Sequence, residues 1–232
     1  MINIAKPLMG EEEKQAVLDV LDSGMIACGS VVSEFEKEFA DYLGIEYCTA
    51  TTSGTTALEV ALRALGIGKG DTVITTPFSF IASTNSIVYT GADPVFADID
   101  LKTFLIDPKE IEKTLDEHPE AKALLIVHLF GLCCDMDAIM EIVRKHHLLL
   151  IEDCAQAHGA KWNGKKAGTF GDVGCFSFYP TKNMTTSEGG AVVTHDPAEE
   201  CFLIFACYSL ELCIQMGKSF LFSFAFSFFS FE

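Results

Sequence analysis

Three observations predict a three-layer α/β/α domain with a mostly parallel central sheet. Short runs of β-branched and aliphatic residues alternate with helical segments along most of the chain. Those runs are apolar throughout instead of alternating in and out, as strands buried on both faces are. Small-residue turns punctuate each change of pattern.

In chain order, "GEEEKQAVLDVLDSG" has acids in its first turn, apolar residues at helical spacing and Gly24 to end it. "VVSEFEKEFADYLG" is a second helix. "YCTATTSGTTALEVALRAL" reads as a short strand, a small-residue turn and a helix that terminates at Gly66. "DTVITTPFSF", "DPVFADID", "KALLIVHLFG" and "LLLIEDCAQ" read as strands, separated by helices such as "ASTNSIVYTG" and "MDAIMEIVRKHH". "GDVGCFSFYP" and "GGAVVTHD" supply two more strands. From about Cys201 the character changes: "SFLFSFAFSFFSFE" alternates Ser with Phe, is too short to cross a bilayer as a helix, and reads as a β-prone end outside the normal fold. The predicted division is therefore a domain over residues 1–198 and an atypical Phe/Ser-rich tail over 199–232.

Composition narrows the function classes. A formal charge of −17, with no clustered Lys or Arg, argues against nucleic acid as a partner. The nine cysteines are odd in number, form no C-x-x-C pair and mostly sit in apolar runs such as "GCFSF". They read as reduced core thiols, with neither a disulfide frame nor a metal site. The N-terminus lacks the charged-then-apolar pattern of a secretory signal, so a cytoplasmic protein without a membrane anchor is expected.

Ligands of open α/β sheets bind beyond the carboxyl ends of the strands, which directs attention to the polar residues there. "LLLIEDCAQ" ends a buried strand in Glu152 and Asp153, where an acid either emerges into the crevice or caps the next helix. "TTSGTTALEVAL" sets Ser53, Gly54, Thr55 and Thr56 at a helix N-terminus, whose unpaired N–H groups favour an anion, although a plain Ser/Thr cap would look the same. Nucleoside triphosphate and dinucleotide fingerprints are absent. "FSFYPTKNMTTSEGGA" places one cation, Lys182, in a turn rich in Gly, Ser and Thr; in isolation it could be a surface lysine. An anion cradle, a carboxylate and a lysine together suit pyridoxal 5'-phosphate, and Phe80, at the end of a predicted strand, could stack on its ring.

"SGTTAL", "PFSFIASTNSI", "IEDCAQAHGA" and "GTFGDVGCFSFYPTKNMTTSEGGAV" resemble, in order and spacing, the signature blocks of the DegT/StrS family of sugar aminotransferases. The similarity runs from about Lys6 to Asp196. It implies the large domain of the fold type I pyridoxal-phosphate transferases. It also implies that Lys182 carries the cofactor covalently and moves the proton, that Asp153 pairs with the ring nitrogen, and that Gln156 reaches the phenolic oxygen. Thr55 and Thr56 would give backbone N–H groups to the phosphate, the Ser177 hydroxyl would be a further donor, and Phe80 would stack on the ring. The implied reaction passes an amino group from glutamate to a keto group of a nucleotide-linked sugar, in a homodimer. "DSGMIACGSVVSEFE" resembles the family's substrate-side segment, with Gly24 and Gly29 at loop positions.

Two departures accompany the resemblance. Family members finish with a small closing domain, which is expected to be missing here, and Ser187 stands where a glycine is usual before "EGG". A sugar-dehydratase relative would tend to carry His in place of Lys182. An alternative of another class is a catalytically inactive fragment that only dimerises or aggregates. His128, His158 and Glu188 read as structural.

Overall fold

The computed structural model describes residues 5–198, so the Phe/Ser-rich tail expected over 199–232 lies outside the described residues. Helix α1 (Glu11–Ser23) opens with three glutamates, of which Glu13 accepts the Gly10 N–H, and closes on Gly24 in the left-handed region at φ 70°. Helix α2 (Ser30–Leu43) buries Phe35, Phe39, Ala40 and Leu43. Then follow β1 (Tyr47–Thr51), α3 (Gly54–Ala64), β2 (Thr72–Thr75), α4 (Ala82–Thr90) and β3 (Asp93–Phe96). The next elements are α5 (Pro108–Glu117), β4 (Ala123–Val127), α6 (Met136–His146) and β5 (Leu149–Asp153). A small hairpin, β6 (Lys161–Trp162) with β7 (Lys165–Lys166), precedes β8 (Val173–Ser177) and β9 (Gly190–Thr194). Helix starts follow side-chain chemistry: Ser53 caps α3, Asp107 caps α5 with Pro108 behind it, and Asp135 caps α6.

Seven strands form one sheet in the order β1-β9-β8-β5-β4-β2-β3. The pairs β2·β3, β2·β4, β4·β5 and β5·β8 are parallel, while β9 runs antiparallel to both β1 and β8. The expected mostly parallel sheet is thus present, and its antiparallel part is confined to one end. Strand β4 and strands β8 and β9 are buried along their whole length, which is why their sequences carry no in-out alternation.

Two apolar clusters hold the layers. The larger joins α3, α5 and α6 to the parallel strands through residues such as Leu62, Ile74, Ile111, Leu124 and Ile139. The second seats α2 on the antiparallel end: the Phe39 ring meets Phe176 edge-on at 5.0 Å and Phe178 at 5.4 Å. Side chains alternate across a strand, so Phe176 and Phe178 on the α2 side turn Ser177 to the opposite face, toward α3.

One placement differs from expectation. Phe80 is not at the end of a strand, because β2 stops at Thr75, two residues before Pro77, which has no N–H to continue a ladder. Phe80 instead stands in the connection to α4 and is 69% exposed.

Candidate active site

Strand β5 delivers two adjacent acids to opposite faces, and their surroundings separate their roles. Glu152 is completely buried, and its Oε1 accepts the N–H groups of Phe170 (2.7 Å) and Gly171 (2.8 Å). Its Oε2 accepts the Gly168 N–H (2.8 Å) and lies 2.9 Å from Nε2 of the equally buried His128. The other ring nitrogen of His128 accepts the Cys134 N–H at 3.0 Å, so the proton of the neutral ring sits on Nε2 and is donated to Glu152. His128, Glu152 and Cys154 place ligand-type atoms within 4.8 Å of one another, but both oxygens of Glu152 are already spent on two donors each. The cluster is a hydrogen-bonded anchor that ties the 168–171 loop to the sheet.

Asp153 turns to a cavity of about 410 Å³ beyond the carboxyl ends of β5 and β8. Its Oδ1 accepts the Ala155 N–H at 3.0 Å and its Oδ2 the Ser83 hydroxyl at 2.8 Å. Burial pushes this carboxyl above the usual range, while the Ala155 N–H, the Ser83 hydroxyl and the charge of Lys182 pull it back.

The same cavity is lined by Thr55, Phe80, Gln156, Ser177 and Lys182. Helix α3 aims its first turn at it, and the close approach depends on glycine: a Cβ built on Gly54 would stand 2.6 Å from the Cβ of Ser177. Gly190 packs equally close, with its built Cβ 2.5 Å from the Ser53 carbonyl. These two contacts bring the start of α3 against the end of β8 and the start of β9. Thr56 is drawn away from the cavity, because its N–H donates to Ser53 Oγ at 3.1 Å and its hydroxyl bonds those of Thr52 and Ser53. The N–H groups of Gly54 and Thr55, in the first turn, have no partner within the helix.

Lys182 belongs to the connection between β8 and β9, which hydroxyls hold in shape. Thr185 Oγ1 donates to the Phe178 carbonyl (2.8 Å), Thr186 Oγ1 to the Glu188 carbonyl (2.8 Å), and the Lys182 N–H to the Tyr179 carbonyl (2.8 Å). The hydroxyls that flank the lysine in sequence therefore fix the loop that carries it. Gln156 Oε1 accepts the Phe130 N–H at 2.9 Å, which commits the amide oxygen and leaves the NH₂ as the group available to the cavity.

Sequence reasoning missed Ser83, Tyr179 and the pocket-lining position of Glu188. For Ser83 the only available signal is its place in the "FIASTN" block, since its partner is 70 residues away. His158 packs against the rings of Phe176 and Phe178 at 5.5 Å from each, with the Ser177 backbone and the Asn183 side chain nearby. Burial, with the Lys182 charge adding to it, lowers its pKa to about 4. Ser187 adopts φ +72°, a glycine-favoured conformation.

An α/β sheet whose carboxyl edge gathers a helix N-terminus, a buried acid and a lysine has the architecture of pyridoxal-phosphate aminotransferases. Solved structures of aminotransferases match the chain. The aminotransferase from Psychrobacter cryohalolentis matches with a TM-score of 0.82 and 44% identity, over 86% of this chain and 51% of that one. The PLP-form of Spr1654 from Streptococcus pneumoniae matches with a TM-score of 0.84 and 30% identity, over 88% of this chain and 57% of that one.

The chain belongs to the DegT/DnrJ/EryC1/StrS aminotransferase family, whose model matches residues 7–209. GDP-perosamine synthase of Caulobacter vibrioides is 46% identical over 196 residues, covering 84% of this chain and 52% of the relative. The chain thus spans about half the length of the curated relatives it matches. Among the described residues no helix is long and apolar enough to cross a membrane.

Proposed function

We propose that this chain is the cofactor-binding part of a cytoplasmic pyridoxal-phosphate aminotransferase that moves an amino group from glutamate to a keto group of a nucleotide-linked sugar. The observation that carries the proposal is the convergence of Lys182 and Asp153 on one cavity, with the glycine-dependent approach of α3 to Ser177 on its wall. That approach fits a phosphate, since the missing Gly54 side chain lets the Ser177 hydroxyl lie against the first turn of α3, whose N–H groups favour an anion. The substrate class is supported by relatives named for GDP- and UDP-linked sugars.

When bound, pyridoxal phosphate supplies an electron sink for charge that develops beside the amino group. Asp153 holds a positive charge on the ring nitrogen. Lys182 Nζ would hold the aldehyde of the cofactor and would be the base that moves the proton. Gln156 presents its NH₂ to the phenolic oxygen, and Thr55, Gly54 and Ser177 hold the phosphate. Thr56 joins them only by giving up its bond to Ser53. Phe80, exposed at the cavity rim, would stack on the ring.

Homodimerisation is supported by apolar surface that the fold leaves open. Helix α1 buries no residue although it carries Leu18 and Leu21, and Ile81, Val88 and Tyr89 are exposed along α4.

Reduction of the full chain with borohydride in the presence of pyridoxal phosphate, followed by peptide mapping, tests the reading. A pyridoxyl group on Lys182, lost in Lys182→Ala, is the expected result. Labelling spread over surface lysines, or none, overturns it.

A further inference from the structure

Asp153 receives a hydrogen bond from a residue to which neither the fold nor the proposed chemistry has yet given a part. Ser83, in the first turn of α4, is completely buried, and its hydroxyl lies 2.8 Å from Asp153 Oδ2 and 3.3 Å from the Phe80 carbonyl. A hydroxyl has one proton, and the shorter contact to the charged acceptor takes it. Ser83 Oγ must then accept from its other neighbour, the hydroxyl of Ser79 at 2.8 Å. Ser79 lines the cavity and is only half-buried. The result is a directed chain from the cavity wall, Ser79 to Ser83 to Asp153, whose every proton points at the acid. Asp153 Oδ1 already accepts the Ala155 N–H, so each oxygen of the carboxyl receives a hydrogen bond that favours its charged form.

We propose that Ser83 is a positioning residue for the cofactor, holding the Asp153 carboxylate ionised and turned toward the cavity so that it grips a protonated ring nitrogen. This rests on the reading that the cavity takes pyridoxal phosphate. The physical need is clear from the site: burial disfavours a charged carboxylate, and hydrogen bonds to the charged form are what offset it. Lys182 contributes its charge at longer range, whereas Ser83 and Ala155 are the donors in direct hydrogen-bond contact with the carboxylate. Ser83 itself stays in place because the next turn holds it, with Ser86 Oγ donating to the Ser83 carbonyl at 2.9 Å.

The test compares binding of two probes to the full chain: pyridoxal 5'-phosphate and its analogue with carbon in place of the ring nitrogen. Ser83→Ala is expected to weaken pyridoxal phosphate roughly tenfold, the loss of one hydrogen bond to a charged group, and to leave the carbon analogue unchanged. Ser83→Thr, which keeps the hydroxyl, restores the preference. Equal weakening of both probes would mean that Ser83 merely shapes the cavity and would overturn the proposal, as would pyridoxal phosphate binding within twofold of wild type. If Ser83→Ala does not fold, the half-buried Ser79→Ala decides: a smaller loss confined to pyridoxal phosphate supports the chain, and no selective loss overturns it. Wild-type protein that binds neither probe removes the cofactor reading itself, a result distinct from a wild type that binds both with an indifferent Ser83→Ala.

Discussion

Replacing Gly54 by alanine sets two effects of opposite sign against each other. In the first turn of a helix, alanine is favoured over glycine by up to about 1 kcal/mol, so local propensity predicts a more stable protein. The tertiary setting predicts the reverse. The new methyl would lie 2.6 Å from Ser177 Cβ, 3.0 Å from its Oγ and 3.2 Å from its Cα. Carbon atoms in contact prefer about 3.5–4.0 Å, so the start of α3 must retreat by about 1 Å from β8. Ser177 cannot yield easily, because β8 is hydrogen-bonded on both sides, to β5 and to β9. Overpacking of this kind costs about 1–3 kcal/mol, and with both sides of a rigid contact closed the upper part of that range applies, leaving about 1–2 kcal/mol after the propensity gain. Gly54→Ala should therefore lower the melting temperature by about 2–8 °C. The same retreat opens the anion cradle, so pyridoxal phosphate should bind at least tenfold more weakly while phosphate-free pyridoxal is held as before. Calorimetry and a titration with both compounds measure this. A variant that melts higher than wild type and binds both compounds normally would show that α3 does not press on Ser177, and the cradle argument would fail.

Three further outcomes follow from the same structure. Ser187→Gly relieves a serine held at φ +72° and should stabilise the protein by about 1 kcal/mol, read as a shift in denaturant midpoint. Glu152→Gln puts an NH₂ group against either the Phe170 and Gly171 N–H pair or the Gly168 and His128 pair, and should cost about 3–5 kcal/mol, leaving little folded protein in a circular-dichroism melt. His158 has its folded pKa lowered to about 4 from the ordinary 6.5, so the unfolded chain takes up a proton that the folded chain refuses. Its contribution is complete above pH 6.5 and drains away as the pH falls to 4, by about 3 kcal/mol, and His158→Phe should lose that slope in urea melts run across the range.

How legible this protein is from its sequence depends on whether a feature is local. The strand over 149–153 and its terminal acids stand out because an apolar run ending in charge has one sensible place in an α/β sheet. What the letters do not reveal is which acid faces which side. Glu152 and Asp153 look interchangeable until three N–H groups of the 168–171 loop claim one and Ser83 claims the other. Lys182 was conspicuous for its flanking hydroxyls, and their hydrogen bonds explain them, but nothing local says that the loop turns back over the cavity. Thr55 and Thr56 look equivalent in a small-residue turn. Only the rotamer of Ser53 decides that the second spends its N–H on a cap. The β6–β7 hairpin escaped notice because two-residue strands of lysine and tryptophan carry no periodic pattern. Phe80 was expected at a strand end because the apolar run continues past Pro77, where the ladder cannot.

The sheet order has a consequence for how the site is put together in time. Strand β1 is near the beginning of the chain, yet among the described residues its neighbour in the sheet is β9, more than a hundred residues later, and β9 in turn bridges it to β8. A ribosome that has released residues 47–54 has therefore made one side of the cavity wall, whose sheet partner follows more than a hundred residues later. Until Gly190 settles against Ser53, the start of α3 has only β8 behind it, and β9 must slide between the β1 and β8 edges to complete that wall of the cavity.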